Sequence, residues 1–503
     1  EQIARFAVSG YQYPSLDVRP YFKRYYLYGE IMTHILGYVG KINDKDVERL
    51  KKEEKFANYS GTSDMGKLGI ERYYEDSLHG VTGFEEVEIN NRGKVIRKLR
   101  EQPAVAGKSI HLTIDLELQR YITELLSGQK GAIIVLDPKD SGVLAMVSTP
   151  SYDNNLFVDG ISSEDYKRLL NDPARPLYSR ATQGVYPPAS TVKPFISVAA
   201  QTENVITQNT TIFDPGYWIL PNTSKRFRDW KKSGHGYTDL NKAITESSDT
   251  YFYQVAHNMG IDRLSEWMKR FGFGMPTGIE IQEEAAANMP SREWKQKRYK
   301  RPWVLGDTIS VGIGQGYWTA TPLQVAKATA ILVNNGKVNT PHLMKAIEGA
   351  ELSPYKDPLI YPDISEPKQN YWDAAKRGMY NVVNSAAGTG RKAFAGANYR
   401  VAGKSGTAQV FSLKENEKYN AAGLKKELHD HAWFTAYAPY ENPRLVVTVI
   451  LENAGGGSSN AAPLARKVMD YYLNQRLPQV EKYNANIQQK EDLPQEGEQI
   501  NGR

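Results

Sequence analysis

From about residue 108 onward, strand-like segments lie on both sides of a helical stretch, and this order restricts the fold more than any other feature. Residues 131–136, Gly-Ala-Ile-Ile-Val-Leu, form an apolar run stopped by Asp137-Pro138, the pattern of a buried strand. Ser141-Gly142 supplies a turn, and 143–147 returns as the hairpin partner. Residues 401–411, 431–438 and 445–451 read as further strands. In the middle, Thr321-Pro322-Leu323-Gln324 is a capping box with proline at the first helical position. That helix runs to about Asn335, and Gly336 closes it. Strands, then helices, then strands predict an α+β fold: an antiparallel sheet beside a helical subdomain. Nearer the front, 110–114 alternates as a strand and Asp115 caps a helix through Leu126. A last helix is expected from Ala461 to about Gln475.

The helical middle opens on Pro187-Pro188-Ala189-Ser190-Thr191-Val192-Lys193 and an apolar run. A spacing of three places Ser190 and Lys193 on one helical face. A serine hydroxyl is a poor nucleophile until a neighbouring base takes its proton. A lysine can be that base once burial or a second cation favours its neutral form. Alone, Ser-x-x-Lys is a common chance pattern that marks only a helix start. Two further stretches follow in order and at wide spacing: Ser247-Ser248-Asp249, and Lys404-Ser405-Gly406-Thr407. Three such stretches in this order define a serine acyl-transfer site.

On these motifs the chain resembles the class B penicillin-binding proteins. It is similar to their elongation-type transpeptidases over nearly all of residues 1–475, notably in 180–188 and 306–322. The resemblance implies a penicillin-binding, serine β-lactamase-like transpeptidase domain preceded by a smaller non-catalytic pedestal. In that reading Ser190 attacks the carbonyl between two D-alanines of a pentapeptide stem, with Lys193 as base. Ser247 relays a proton between Lys193 and Lys404 to the departing amine. Lys404 adds positive charge and attracts the terminal carboxylate, to which Ser405 and Thr407 offer hydroxyls. Gly406 lets the substrate backbone approach the strand. The backbone N–H groups of Ser190 and Thr407 form the oxyanion hole. One position departs from the commonest pattern: Asp249 stands where Asn is usual, and a carboxylate there favours the charged form of Lys193.

The expected activity is D,D-transpeptidation of peptidoglycan during cell elongation, with β-lactams as acylating inhibitors. Two alternatives use the same chain: a D,D-carboxypeptidase with water as acceptor, or a chiefly non-catalytic activator of a glycan polymerase. A serine β-lactamase is disfavoured, because it needs fast deacylation, usually by a glutamate holding water.

A chain of 503 residues predicts two or three domains. The expected division is a pedestal or dimerisation-type module over 1–107, a transpeptidase domain over 108–475, and a disordered tail over 476–503, where Gln, Glu, Asn and Pro dominate. Within the first module, 34–39 reads as a strand, and Gly66-Lys67-Leu68-Gly69-Ile70-Glu71 opens a short helix. The net charge of +6 is mild and forms no block suited to nucleic acid. The absence of cysteine excludes disulfides and thiolate-bound metals. The chain starts at Glu1 in mid-pattern, and the resemblance implies an upstream cytoplasmic tail and membrane helix. It also implies residence at the bacterial inner membrane with a periplasmic catalytic domain. The partners it implies are a SEDS-type glycan polymerase and the rod-shape complex.

Acyl transfer of this kind needs no cofactor. A candidate metal site lies between the first two motifs, at Asp214, Asp229 and His235. Some family members carry zinc at matching positions, with a cysteine in the middle of the second motif as fourth ligand. Ser248 occupies that place here, so the resemblance implies a weaker structural Zn²⁺ site.

Overall fold

The computed structural model describes residues 2–9, 12, 21–348, 361–410 and 426–491. In the first module a helix over Gln2–Ser9 precedes helix α1 (Gly29–Leu36), which overlaps the stretch where the sequence pattern suggested a strand over 34–39. Met32 and Ile35 are buried from this helix; their spacing of three is helical, and Gly37 at φ 68° ends the turn. Strand β1 (Val39–Lys41) pairs antiparallel with β2 (Asp64–Gly66). Helix α2 (Gly69–Tyr73) follows within the expected segment. Strands β3 (Phe84–Ile89) and β4 (Val95–Gln102) form a separate hairpin whose side chains are almost all exposed.

The short strand Ile110–Leu112 pairs with Met344–Ile347, apart from the main sheet. Helix α3 (Leu116–Leu125) starts as the sequence indicates, with the Asp115 side chain accepting from the Leu118 N–H. Strands β5 (Gly131–Leu136) and β6 (Val143–Thr149) form the expected hairpin. A 3₁₀ turn over Ala189–Val192 leads into helix α4 (Lys193–Thr202), which is buried almost throughout. A hairpin of β7 (Tyr217–Ile219) and β8 (Arg226–Arg228) precedes helix α5 (Asp249–Met259). Helices α6 (Arg292–Tyr299) and α7 (Leu305–Val311) come next. Helix α8 (Pro322–Val333) carries the complete capping box of Thr321 and Gln324.

Strands β9 (Ala402–Ala408), β10 (His431–Ala438) and β11 (Leu445–Leu451) join the first hairpin in one antiparallel sheet of order β9-β10-β11-β5-β6. The register sets Lys404 opposite Thr435 and Thr448 opposite Ile134. Every residue of β11 is buried, as expected of a strand covered on both faces. Helix α8 packs on β11 and β5, and helix α9 (Ala462–Tyr471) packs on β11 and β10. Among the described residues, strand β9 has a neighbouring strand on one side only, and the turn over Ala189–Val192 packs against β9. The compositional expectation of disorder fails over helix α10 (Leu477–Glu491); its start is tied down by Arg476, whose Nε lies 2.7 Å from the Asp115 carboxylate.

The two modules meet through polar contacts. Glu280 is fully buried and accepts from the Tyr74 hydroxyl at 3.2 Å and from the N–H groups of Leu343 and Met344 at 2.8 and 3.0 Å. Asn154 Nδ2 donates to the Gly37 carbonyl at 2.7 Å, and Gln119 Nε2 to that of Ile31 at 3.0 Å. No helix among the described residues is long and apolar enough to cross a membrane.

Candidate active site

Three elements converge. The 3₁₀ turn and α4 present Ser190 and Lys193, the turn into α5 and its first residue present Ser247 and Asp249, and edge strand β9 presents Lys404 to Thr407. Ser190 is half-buried and Lys193 is fully buried. The Ala189 N–H donates to the Gly314 carbonyl at 2.9 Å, which ties the nucleophile's turn to the loop over 312–316. Ala189 itself sits at φ 52° and Ser247 at φ 60°, a region non-glycine residues enter at a cost and mostly at functional sites.

Ser247 is the centre of the arrangement. Its Oγ lies 3.2 Å from Lys193 Nζ and 3.0 Å from Lys404 Nζ, bridging the two amines. Lys193 Nζ also donates to the Ser247 carbonyl at 3.0 Å and to Asp249 Oδ1 at 2.7 Å. Lys404 Nζ donates to the Ser405 carbonyl at 2.9 Å. Lys404 is fully buried; burial first, and then the charge of Lys193, pull its amine well below the ordinary lysine range. The electrostatic role the sequence suggests for Lys404 therefore has to be drawn from a site that favours the neutral amine.

The rest of β9 faces the same space. The Ser405 and Thr389 hydroxyls are 3.0 Å apart. Gly406 lies against Thr191, Ala189 and Pro188, where a Cβ would be crowded. Thr407 is exposed; its carbonyl accepts from Gln315 Nε2 at 3.1 Å, and its hydroxyl from the Gly457 N–H at 3.3 Å. Gln315 thus links the loop to the strand.

Sequence reasoning missed Trp230. Its N–H donates to Asp249 Oδ2 at 3.2 Å and its indole Nε1 to the Ser247 carbonyl at 3.0 Å, yet the residue is 60% exposed. Trp230 thus holds an exposed ring beside the site. Sequence reasoning also missed the fully buried Arg180, whose Nε lies 2.9 Å from Glu452 Oε1 while the Tyr186 hydroxyl donates to the same oxygen at 2.7 Å. This cluster anchors the approach to Ser190 on the end of β11. The single cue in the sequence was an arginine inside an otherwise apolar and small-residue stretch.

Asp214, Asp229 and His235 do come together, all buried, with candidate ligand atoms within 4.8 Å of one another. His235 Nδ1 is 2.6 Å from Asp214 Oδ2 and 3.7 Å from Asp229 Oδ1. Ser248 Oγ donates to Asp214 Oδ2 at 2.8 Å while accepting from the Tyr251 N–H at the start of α5. Burial first, and then the Asp249 charge, push Asp229 up to about 6. Burial also pushes Asp214 up, but hydrogen bonds from His235, Gly216 and Ser248 outweigh it and leave that carboxyl lowered. Two buried carboxylates and an imidazole are donors that Zn²⁺ accepts, and a dication would offset the crowding of negative charge. The set fits a metal with three strong ligands and a hydroxyl.

Comparison with known proteins gives a consistent result. Residues 131–470 match the family described as the penicillin binding protein transpeptidase domain, and residues 1–112 the penicillin-binding protein dimerisation domain. The chain is 88% identical over 503 residues to the peptidoglycan D,D-transpeptidase MrdA of Haemophilus influenzae, covering all of this chain and 77% of that one. Among solved structures it is similar to Pseudomonas aeruginosa PBP2 in complex with WCK 5153, at 43% identity and TM-score 0.78, covering 91% of this chain and 93% of that one. It is also similar to Helicobacter pylori PBP2 in complex with MreC, at 32% identity and TM-score 0.81, covering 94% of this chain and 83% of that one.

Proposed function

Because the chain belongs to the class B penicillin-binding proteins, as a peptidoglycan D,D-transpeptidase of the elongation type, we propose that it cross-links stem peptides through an acyl-enzyme on Ser190. The observation that carries this reading is the Ser247 hydroxyl held between Lys193 and Lys404, beside the Ser190 turn and the free edge of β9. Ser190 Oγ attacks the carbonyl carbon of the penultimate D-alanine as its proton passes to Lys193. The ammonium so formed is held by Asp249 and Ser247. Collapse of the tetrahedral intermediate breaks the peptide bond, and the departing D-alanine amine takes a proton through Ser247. An amine of a second stem peptide then takes the acyl group and restores Ser190. The N–H groups of Ser190 and Thr407 stabilise the oxyanion; one such donor contributes about 3–4 kcal/mol in comparable enzymes. The donor peptide lies along β9 as an added strand, with its terminal carboxylate against Ser405, Thr407 and Lys404. A β-lactam enters by the same route and remains as the acyl-enzyme.

The same reading assigns residues 1–107 as a non-catalytic pedestal and 108–475 as the transpeptidase domain, with the protein held at the inner membrane and the catalytic domain in the periplasm. The exposed side chains of Tyr21, Phe22, Tyr25 and Leu27 and of the β3–β4 hairpin support docking to the rod-shape machinery and a SEDS-type glycan polymerase, since large exposed apolar patches mark interaction sites. Zn²⁺ would be held by Asp214, Asp229 and His235 with Ser248 beside it. Its role would be structural, fixing the loop to the start of α5.

Intact mass and peptide mapping after exposure to a labelled penicillin test the nucleophile: one adduct on the peptide containing Ser190, and none on Ser190→Ala. Full labelling of that variant would sink the assignment. Chelated protein should recover melting temperature on addition of zinc and retain the metal on elemental analysis; no gain would leave the three residues as a hydrogen-bonded cluster.

A further inference from the structure

The acyl-transfer reading leaves a group of cations unused. The segment 292–301 carries six in ten residues. Arg292 pairs with Asp262 and Lys295 with Asp307. Lys297, Arg298, Lys300 and Arg301 are exposed and have no ion-pair partner among the described residues. Aromatic rings sit between them. Trp294, Tyr299 and Tyr317 form a triangle with centroids 5.3–5.6 Å apart, and Trp303 adjoins Tyr317 at 6.3 Å. Tyr317 follows Gln315, the residue bonded to Thr407 on β9.

A second basic element meets the first. The β7–β8 hairpin exposes Lys225, Arg226 and Arg228, again without ion-pair partners among the described residues. The Arg226 guanidinium lies 4.6 Å from the Tyr217 ring centroid and Lys225 Nζ 5.0 Å from that of Phe227. Lys225 and Phe227 face Gly306 at the start of α7, just beyond Lys300 and Arg301. At its other end the hairpin runs into Asp229 and Trp230, whose indole rests on Ser247. The cations therefore form a strip that starts at the rim of the active site and continues outward over α7 to the end of α6.

From this continuity we infer that the strip binds a peptidoglycan strand through the carboxylates of its stem peptides, holding the cross-linking substrate beside the acyl-enzyme. The inference rests on the transpeptidase reading. Unpaired surface cations lower stability by mutual repulsion unless a polyanion takes them up, and peptidoglycan is the polyanion that this active site must approach. Guanidinium groups suit carboxylates in particular because they bind them in a fork. The rings along the strip, of which Tyr299 and Trp230 are exposed and the others half-buried, add flat surface for sugar and peptide planes. An anionic membrane surface would use the charges but not their origin at Trp230 and Ser247.

The test is co-sedimentation of the full chain with purified sacculi, run beside labelled-penicillin acylation. The parent should bind at low ionic strength and about tenfold less at roughly 0.5 M salt, where charge contacts are screened. K297Q/R298Q/K300Q/R301Q and K225Q/R226Q should each bind sacculi at least about fivefold less, since rim charges govern capture, with acylation unchanged. Sacculi whose carboxyl groups have been amidated should be bound as poorly by the parent. Variants that bind like the parent, or a parent indifferent to amidation, would overturn the proposal. So would a parent that binds phosphatidylglycerol vesicles through these residues and ignores sacculi. Acylation reports separately on the transpeptidase reading: its absence from the parent would sink that reading and this proposal with it.

Discussion

At the scale of the residue, the site is built around two buried amines bridged by one hydroxyl. Lys404 gives a direct handle. Because its folded-state amine is held well below the ordinary range by burial, the folded protein releases a proton that the unfolded chain keeps. Its contribution to stability therefore rises with pH up to the ordinary lysine value of about 10.4, and is lost as pH falls toward the lowered value. Lys404→Met lacks that penalty. The melting temperature of the variant minus that of the parent should grow as pH is lowered from about 10 to about 7; a flat difference would mean that Lys404 stays protonated in the fold. Trp230→Phe keeps a ring but removes the bond to the Ser247 carbonyl, which contributes about 1 kcal/mol. Penicillin acylation should slow roughly fivefold with stability little changed; unaltered acylation would reduce Trp230 to a packing residue. Ser190, Lys193, Ser247 and Lys404 were legible because each belongs to a short motif whose order is informative. Trp230 was not, since its role depends on a loop returning to α5 and no spacing rule marks it.

At the scale of the element, the sequence carried the central sheet and its flanking helices well. The buried strands are continuous apolar runs, and the caps at Asp115 and Thr321 are local signals that survive folding. It failed where a short amphipathic segment could serve either period. Residues 34–39 look strand-like in isolation, but Met32 and Ile35 are drawn into the core as one helical face of α1. Long-range polar clusters were equally hidden: Arg180 and Glu452 are 272 residues apart. Removing one member of a buried pair typically costs about 3–5 kcal/mol. Arg180→Met should lower the denaturation midpoint accordingly and slow acylation, because Tyr186, just ahead of the Ser190 turn, shares Glu452. A loss below about 1 kcal/mol would place this pair with ordinary surface bridges.

At the scale of the whole molecule, the β3–β4 hairpin stands apart from the core with Ile89, Val95, Ile96 and Leu99 exposed. Under the proposed docking role, Ile96→Asp with Leu99→Asp should leave melting temperature and penicillin acylation unchanged while abolishing activation of a SEDS-type glycan polymerase in reconstituted membranes. Full activation by that double variant would move the docking surface elsewhere. The order of the strands also sets a clock for biogenesis. Strand β5 lies against β11, whose first residue is 314 positions after that of β5, and β9, which bears Lys404, also follows the helical middle. At synthesis rates of about 5–20 residues per second, the β5–β6 hairpin waits on the order of 15–60 s for its inner neighbour. Contacts of such separation close late in folding. A nascent chain therefore lacks Lys404 beside Ser247 and has no edge strand to receive a peptide. It stays chemically silent until β9 has been made and paired, so acylation by a penicillin reports completed folding of the sheet as well as catalysis.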